Sequence, residues 1–268
     1  MLQLDFGLDA KSIAKLSAKG LAYDTLKQQL DEDIDLSLEL WRSQGLEIVK
    51  NLGNYYFATK FIPINEAEFC IVDIETNGSK IEKHQIIEIA AVKVKNNEII
   101  DTFESMVQCS EINPHITTIT GITVDQTIDA PPLAEVLQKF KLFLGDAIFV
   151  AHDVKFDYRF ISLSLKKIGL PPLLNRSICS LGLAERTIES YRYALSYLNE
   201  YYNLHPDATH HRAMSDVMTT YKLFIKSLEN LDKKIKTVED LIKFSKEGKR
   251  LKRVKFDPLA KVSEEVQE

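Results

Sequence analysis

Over the first sixty positions apolar residues recur at helical spacing. Ile13, Leu16, Leu21, Leu26 and Leu30 fit helices broken at Gly20, and Leu36, Leu38, Leu40 and Trp41 open another that ends near Gly45. Two β-prone runs, LEIVK and YYFAT, then flank Leu52-Gly53-Asn54, which is a hairpin signal. Helices followed by a hairpin predict a small winged-helix-like unit over residues 1–62. Its acids and bases are about balanced, so a structural or protein-contact role stands beside DNA binding.

Residues 63–228 have the texture of one α/β domain. EFCIVDIE is an apolar strand ending in acids. QIIEIAAVKVK, a turn at Asn96-Asn97 and EIIDTFESMVQ continue it as an antiparallel meander. LAEVLQKFKLFLG has helical period, AIFVAH is a short buried strand, and FDYRFISLSLKKIG is an amphipathic helix stopped at Gly169. ICSLG is a further strand, and residues 212–228 form a long helix. The expectation is an α/β fold, a mixed sheet with helices on its faces. Residues 229–268 are a charged extension. Between Lys243 and Lys255 seven bases stand against the single acid Glu247, which fits either a nucleic-acid or partner contact or a solvated helix face.

Composition narrows the function. The 268 residues suit one large domain with an appendage. A net charge of −5 excludes a protein that coats nucleic acid by charge alone, but not an enzyme with a local groove. No apolar run reaches the roughly 18 residues of a membrane span, and the start MLQLDFGLDAKS has no secretory pattern. Cys70, Cys109 and Cys179 make neither a metal-ligand pattern nor a disulfide framework, which suits a cytoplasmic protein.

The chemistry gathers in three short segments. In CIVDIET, Asp73 and Glu75 are two residues apart on a strand, so their carboxylates project from one face. Close like charges there call for a cation or a proton. In AIFVAHDVKFDYRF the strand delivers His152, and Asp157 falls in the first turn of the next helix, where an acid also suits the helix dipole. In THHRAMSDVM the five-residue spacing from His211 to Asp216 is too wide for one helix face. His211 therefore belongs to the loop and Asp216 to the first turns of the helix.

The order DIET, HDVKFD, HRAMSD resembles the DEDDh exonucleases, and within them the epsilon-type proofreading exonucleases of bacterial DNA polymerase III. Asp73, Glu75, Asp157 and Asp216 match the four acids, and His211, rather than the adjacent His210, matches the histidine. HQIIEIAAVKV, NPHITTITGIT and ICSLGLAERT also resemble family stretches, so the likeness covers roughly residues 66–228. Asp153 stands where the family has Asn, and Thr76-Asn77-Gly78 replaces Thr-Thr-Gly.

The resemblance implies a ribonuclease H-like sheet and a metal-dependent 3′–5′ exonuclease. Two Mg²⁺ or Mn²⁺ ions per site would be held by the carboxylates, with Asp73 bridging both. Glu75 and Asp216 would hold the ion carrying the attacking water, and Asp157 would support the second. His211 would act as the base, since an imidazole of ordinary pKa near 6.5 suits that task. Thr76, Asn77 and His152 would seat the terminal nucleotide of a DNA 3′ end, and the product would be a nucleoside 5′-monophosphate.

A replicative polymerase subunit is the implied partner. Gln3-Leu4-Asp5-Phe6-Gly7-Leu8 also looks like a peptide that docks into the bacterial sliding clamp, although a segment packed on the N-terminal unit explains it as well. A stand-alone repair or RNA-trimming nuclease of the same fold is the rival reading. A non-catalytic DNA-binding or assembly module is the rival from another class.

Overall fold

The computed structural model describes residues 7–30 and 33–260. The chain begins with α1 (Ala10–Ser17), β1 (Leu21–Ala22), α2 (Tyr23–Gln29), α3 (Ile34–Arg42) and the strands β2 (Ile48–Asn51) and β3 (Asn54–Phe57). The three strands form an antiparallel sheet in the order β1-β3-β2. Asp9 caps α1 by accepting the Ser12 N–H at 2.7 Å. Gly20 feeds β1 at φ +86°, where a Cβ would lie 2.5 Å from the Tyr56 ring, so no other residue fits without displacing it. Leu52 and Gly53 both have positive φ, the conformation a two-residue hairpin turn of type I′ requires. Leu16, Leu21, Leu26, Leu46 and Phe57 fill the core of this unit, joined by Leu8 and by Leu174 of the larger domain. Residues 3–6 of the clamp-like peptide lie outside the described residues.

The larger domain is built on five strands: β4 (Glu68–Thr76), β5 (Ile86–Lys95), β6 (Glu98–Met106), β7 (Ile148–Ala151) and β8 (Ser177–Cys179). Their spatial order is β6-β5-β4-β7-β8, with the first three antiparallel and β7 and β8 parallel to β4. This is the mixed α/β sheet expected. Asn96 and Asn97 turn the β5–β6 hairpin with positive φ at both positions. Between β6 and β7 lie α4 (Pro114–Thr120), α5 (Val124–Thr127) and α6 (Leu133–Leu144). Then come α7 (Val154–Lys167), α8 (Ser180–Thr187), α9 (Leu195–Tyr202), α10 (Ala213–Glu229) and α11 (Val238–Glu247).

Alternation along β4 divides the core. Cys70, Val72 and Ile74 face α6 and α7, packing with Phe140, Leu144, Tyr158 and Ile161. Phe69 and Ile71 face the opposite layer, with Val217 and Phe224 of α10 and Leu241 of α11. The charged extension thus contributes α11 to the second core layer, because Val238, Leu241 and Ile242 are apolar at helical spacing among its charges.

A buried ion pair joins α11 to the residue before β8, against the N-terminal unit. Arg176 Nη2 lies 2.5 Å from Glu239 Oε1 of α11, and its guanidinium stacks 4.1 Å from the centroid of Phe57. Thr59 Oγ1 donates to the other Glu239 oxygen at 2.6 Å.

One predicted strand is shorter than expected. ICSLG leaves the sheet at Cys179, whose sulfur accepts the Gly182 N–H, and Ser180-Leu181-Gly182 open α8 instead. Among the described residues no helix is long and apolar enough to cross a membrane, and the cysteines are free thiols.

Candidate active site

The face of β4 that is apolar at Phe69 and Ile71 becomes acidic at Asp73 and Glu75, since alternate residues share a face. The strand keeps regular register with β5 as far as the Glu75–Glu88 pair, and a bulge follows at Thr76. A bulge there ends the pairing just past the second acid and re-aims the chain.

The start of α10 is set against this acidic end of β4. Glu88 of β5 is 1% exposed and accepts both Arg212 Nη2 at 2.8 Å and the Ala213 backbone N–H at 2.9 Å. It thereby satisfies one of the unpaired amides of the first turn, which Arg212, the residue before the helix, does not cap with its side chain. His211 sits just before the helix at φ +62°, a strained position for a non-glycine residue and one often found at functional sites. Its backbone N–H donates to Asp216 Oδ2 at 3.0 Å.

One ligand atom each from Glu75, His211 and Asp216 lies within 4.8 Å of the others. His210 is the residue whose ring touches Asp216, with Nδ1 at 3.3 Å from Oδ1. Asn199 Nδ2 lies 3.4 Å from His210 Nε2 and can only donate, so Nδ1 carries the proton and donates to Asp216.

Asp157 is buried in the first turn of α7, as the sequence reading placed it. Asp153 precedes that helix in the left-handed region, φ 66° and ψ 58°, which Asp and Asn tolerate better than most residues. Burial raises the Asp73 carboxyl well above its ordinary range, and the charges of Asp157, Glu75, Asp216 and Glu88 push it further. Burial, then Asp216, Glu88 and Asp157, lift Glu75 to about 8, opposed by Arg212. Burial also raises Asp157, opposed by hydrogen bonds from its own backbone and from Ile74. Four carboxylates with this mutual repulsion and an imidazole beside them suit a divalent cation with a preference for oxygen ligands.

The three residues expected to seat a nucleotide are placed differently from one another. Thr76 is buried at the end of β4. Asn77 bridges two loops, accepting the Gln85 N–H at 2.8 Å and donating to the Glu111 carbonyl at 3.1 Å. His152 has both ring nitrogens engaged. Nε2 donates to the Tyr193 carbonyl at 2.9 Å, so Nδ1 accepts the Ser180 hydroxyl at 3.0 Å, and burial holds the ring below its ordinary pKa, hence neutral. Neither nitrogen is free for a ligand. Beside Asp153 a cleft of about 550 Å³ opens, lined in part by Lys80, Lys155, Phe156 and Arg159.

Sequence reasoning missed Glu88 and Arg212, and it set His210 aside in favour of His211. Glu88 had a signal: it is the one charged residue in the apolar run IIEIAAV, where a buried acid needs a partner. His210 had none, because which of two adjacent histidines turns its ring inward depends on the backbone at His211.

A mixed sheet carrying acids at the end of its central strand, with further acids from two helix starts and a histidine from a loop, defines a nuclease-like site. Residues 70–224 match the family RNase_T, described as Exonuclease, and the chain belongs to it. It is 39% identical over 175 residues to the PolC-type DNA polymerase III of Staphylococcus haemolyticus, covering 63% of this chain and 12% of that protein. It is 37% identical over 219 residues to that of Caldanaerobacter subterraneus subsp. tengcongensis, covering 76% of this chain and 15% of that protein. The chain therefore spans only a small part of the length of these relatives. Among solved structures it resembles exonuclease X in complex with 5′-overhanging duplex DNA, with a TM-score of 0.54 and 26% identity, covering 66% of this chain and 99% of that one.

Proposed function

We propose that this chain hydrolyses DNA from the 3′ end to nucleoside 5′-monophosphates, as a proofreading exonuclease working with a replicative polymerase. The observation that carries the reading is the convergence of Glu75, His211 and Asp216 within 4.8 Å beside Asp73 and Asp157. Asp73, Glu75, Asp157 and Asp216 would hold Mg²⁺ or Mn²⁺, two ions per site. Bound there, divalent ions stabilise charge on the attacking and leaving oxygens of a phosphodiester and acidify water.

The chain's own groups do the rest. The exposed His211 ring takes the proton of the attacking water. Asp216, oriented by the His211 amide and the His210 ring, stays in place as that proton moves. Thr76, at the bulge, and Asn77, between its two loops, shape the seat of the terminal nucleotide, and His152 braces that wall through Tyr193 and Ser180. The cleft bearing Lys80, Lys155 and Arg159 offers cations to the strand next to the scissile bond. The polymerase partnership rests on the similarity to PolC-type polymerases, and the winged-helix-like N-terminal unit is proposed as its structural support.

The test is digestion of 3′-labelled and 5′-labelled single-stranded DNA and RNA with Mg²⁺, with Asp73→Asn alongside. Stepwise loss from the DNA 3′ end, absent in the variant, is the expected result. A preference for RNA would move the role to RNA trimming, and no cleavage by folded protein would overturn the proposal.

A further inference from the structure

The segment after α11 does not trail away from the domain. Arg186 holds the end of α11 and the residue that follows it, donating to the carbonyls of Lys246 at 2.9 Å and Gly248 at 2.8 Å. Leu251 N–H then donates to the Glu185 carbonyl at 2.9 Å, and Val254 N–H to the Ser190 carbonyl at 3.2 Å. Asp257 closes the run by accepting the Tyr197 hydroxyl at 2.6 Å. Residues 249–257 thus form a strap laid along residues 185–197.

The strap is strongly basic on its outer side. Buried Glu185 is met by Arg250 at 2.9 Å and Arg253 at 3.9 Å, yet both arginine side chains remain about two-thirds exposed. Lys249, Lys252 and Lys255 are exposed at a spacing of three residues. This concentration of cations stands out on a chain whose net charge is −5.

An aromatic row runs beside it. Tyr197 and Tyr201 of α9, one helical turn apart, have near-parallel rings 6.2 Å apart, and Tyr191 lies 6.5 Å from Tyr197. The Arg192 guanidinium sits over Tyr191 and Tyr197 at 5.4 and 6.0 Å. All three rings are partly exposed.

A chain of contacts links this surface to the candidate active site. Arg253 lies over the Tyr193 ring at 5.6 Å, and the Tyr193 carbonyl holds His152, the residue before Asp153. Cations in a line beside partly exposed rings are the combination by which proteins hold single-stranded nucleic acid: phosphates meet the cations and bases stack on the rings. An acidic peptide would use the cations but leave the tyrosine row idle.

We infer that the strap of residues 249–257 and the row Tyr191, Tyr197 and Tyr201 form a track for single-stranded nucleic acid leading to the active site. The inference rests on the exonuclease reading for its direction, but the binding it asserts can be measured without cleavage.

The full chain carrying Lys249→Gln, Lys252→Gln and Lys255→Gln together is compared with the parent, and Tyr201→Ala is compared separately. Binding of fluorescent dT20 and rU20 is followed by anisotropy in an Asp73→Asn background. Hydrolysis of p-nitrophenyl thymidine 5′-phosphate with Mg²⁺ is followed in chains that retain Asp73. The triple variant is expected to bind dT20 at least tenfold more weakly. Its slope of log affinity against log salt should be shallower by about 2, roughly 0.7 for each lost phosphate contact. Tyr201→Ala should weaken dT20 binding severalfold with an unchanged salt slope, because stacking releases no counterion. Both should hydrolyse the small ester within twofold of the parent.

Equal weakening on rU20 would show that the track holds the phosphate strand whatever its sugar. Unchanged dT20 and rU20 affinity and salt slope in the triple variant would overturn the inference, as would capture of an oligoglutamate peptide in preference to either strand. If the parent fails to hydrolyse the small ester, the exonuclease reading fails instead, and the binding measurements still decide the track.

Discussion

Arg212 and Glu88 face each other across the start of α10. The guanidinium Nη2 lies 2.8 Å from Oε1 of a carboxylate that also receives the Ala213 N–H at 2.9 Å. One buried acid on the sheet therefore sets both the side chain before the helix and its first amide. His211 and Asp216 take their positions from that start, and Glu75 is the residue paired across from Glu88 in the sheet.

Glu88→Gln keeps the size of the side chain but leaves Arg212 without its counter-charge. It should destabilise the fold by about 2 kcal/mol, the scale of a lost hydrogen bond to a charged group. Nuclease activity should fall as well, because α10 is no longer held at its first turn. Urea denaturation and turnover on single-stranded DNA would check this. Unchanged stability with unchanged turnover would deny the pair its positioning role.

On the proposed reading, repulsion among Asp73, Glu75, Asp157 and Asp216 would give divalent ions a stabilising effect, since they would bind the native arrangement and not the unfolded chain. Mg²⁺ at one hundred times its dissociation constant should add about 2.7 kcal/mol. Asp73→Asn should abolish that gain together with cleavage. A Mg²⁺-dependent melting shift that persists in Asp73→Asn would place the ion elsewhere.

The two adjacent histidines should separate cleanly. His211→Ala removes the exposed ring beside Glu75 and Asp216 and should lower kcat by about 10²–10⁴, the usual contribution of a general base. Its Mg²⁺ melting shift should largely persist. His210→Ala removes one hydrogen bond to Asp216 and should cost far less, with the loss seen mainly as weaker Mg²⁺ dependence. A larger loss for His210→Ala in single-turnover kinetics would reverse the assignment.

Glu239 supplies a pH test away from the active site. Burial by itself raises its pKa, but Arg176 and the Thr59, Arg176 and Ser17 hydrogen bonds outweigh burial and hold it below the ordinary carboxylate value. The unfolded chain therefore takes up the proton first as pH falls. The contribution of this group is fully present above the ordinary glutamate pKa of about 4.3 and is lost as pH falls through its lower folded value. Glu239→Gln should destabilise the protein at pH 7 by about 3 kcal/mol, because Arg176 is left buried and unpaired. It should also flatten the loss of stability on acidification, measured by denaturation from pH 7 to pH 3. An unchanged acid limb would remove Glu239 from that account.

Much of the site was written in local order. The spacing of Asp73 and Glu75 on one strand, Asp157 in a first helical turn and His211 before the helix of Asp216 all follow from periods of two and 3.6 residues, which belong to the chain itself. The two Asn-Asn and Leu-Gly turns and the alternation of β4 were legible for the same reason. Tertiary structure decided what local order cannot carry. It brought Glu88 beneath Arg212 across 124 residues of sequence, and it turned His152 inward to Tyr193 and Ser180. It also laid a basic tail against Glu185 and Ser190. Each of these depends on which polar groups become buried together, because only a desolvated charge or amide must find its partner at a distance.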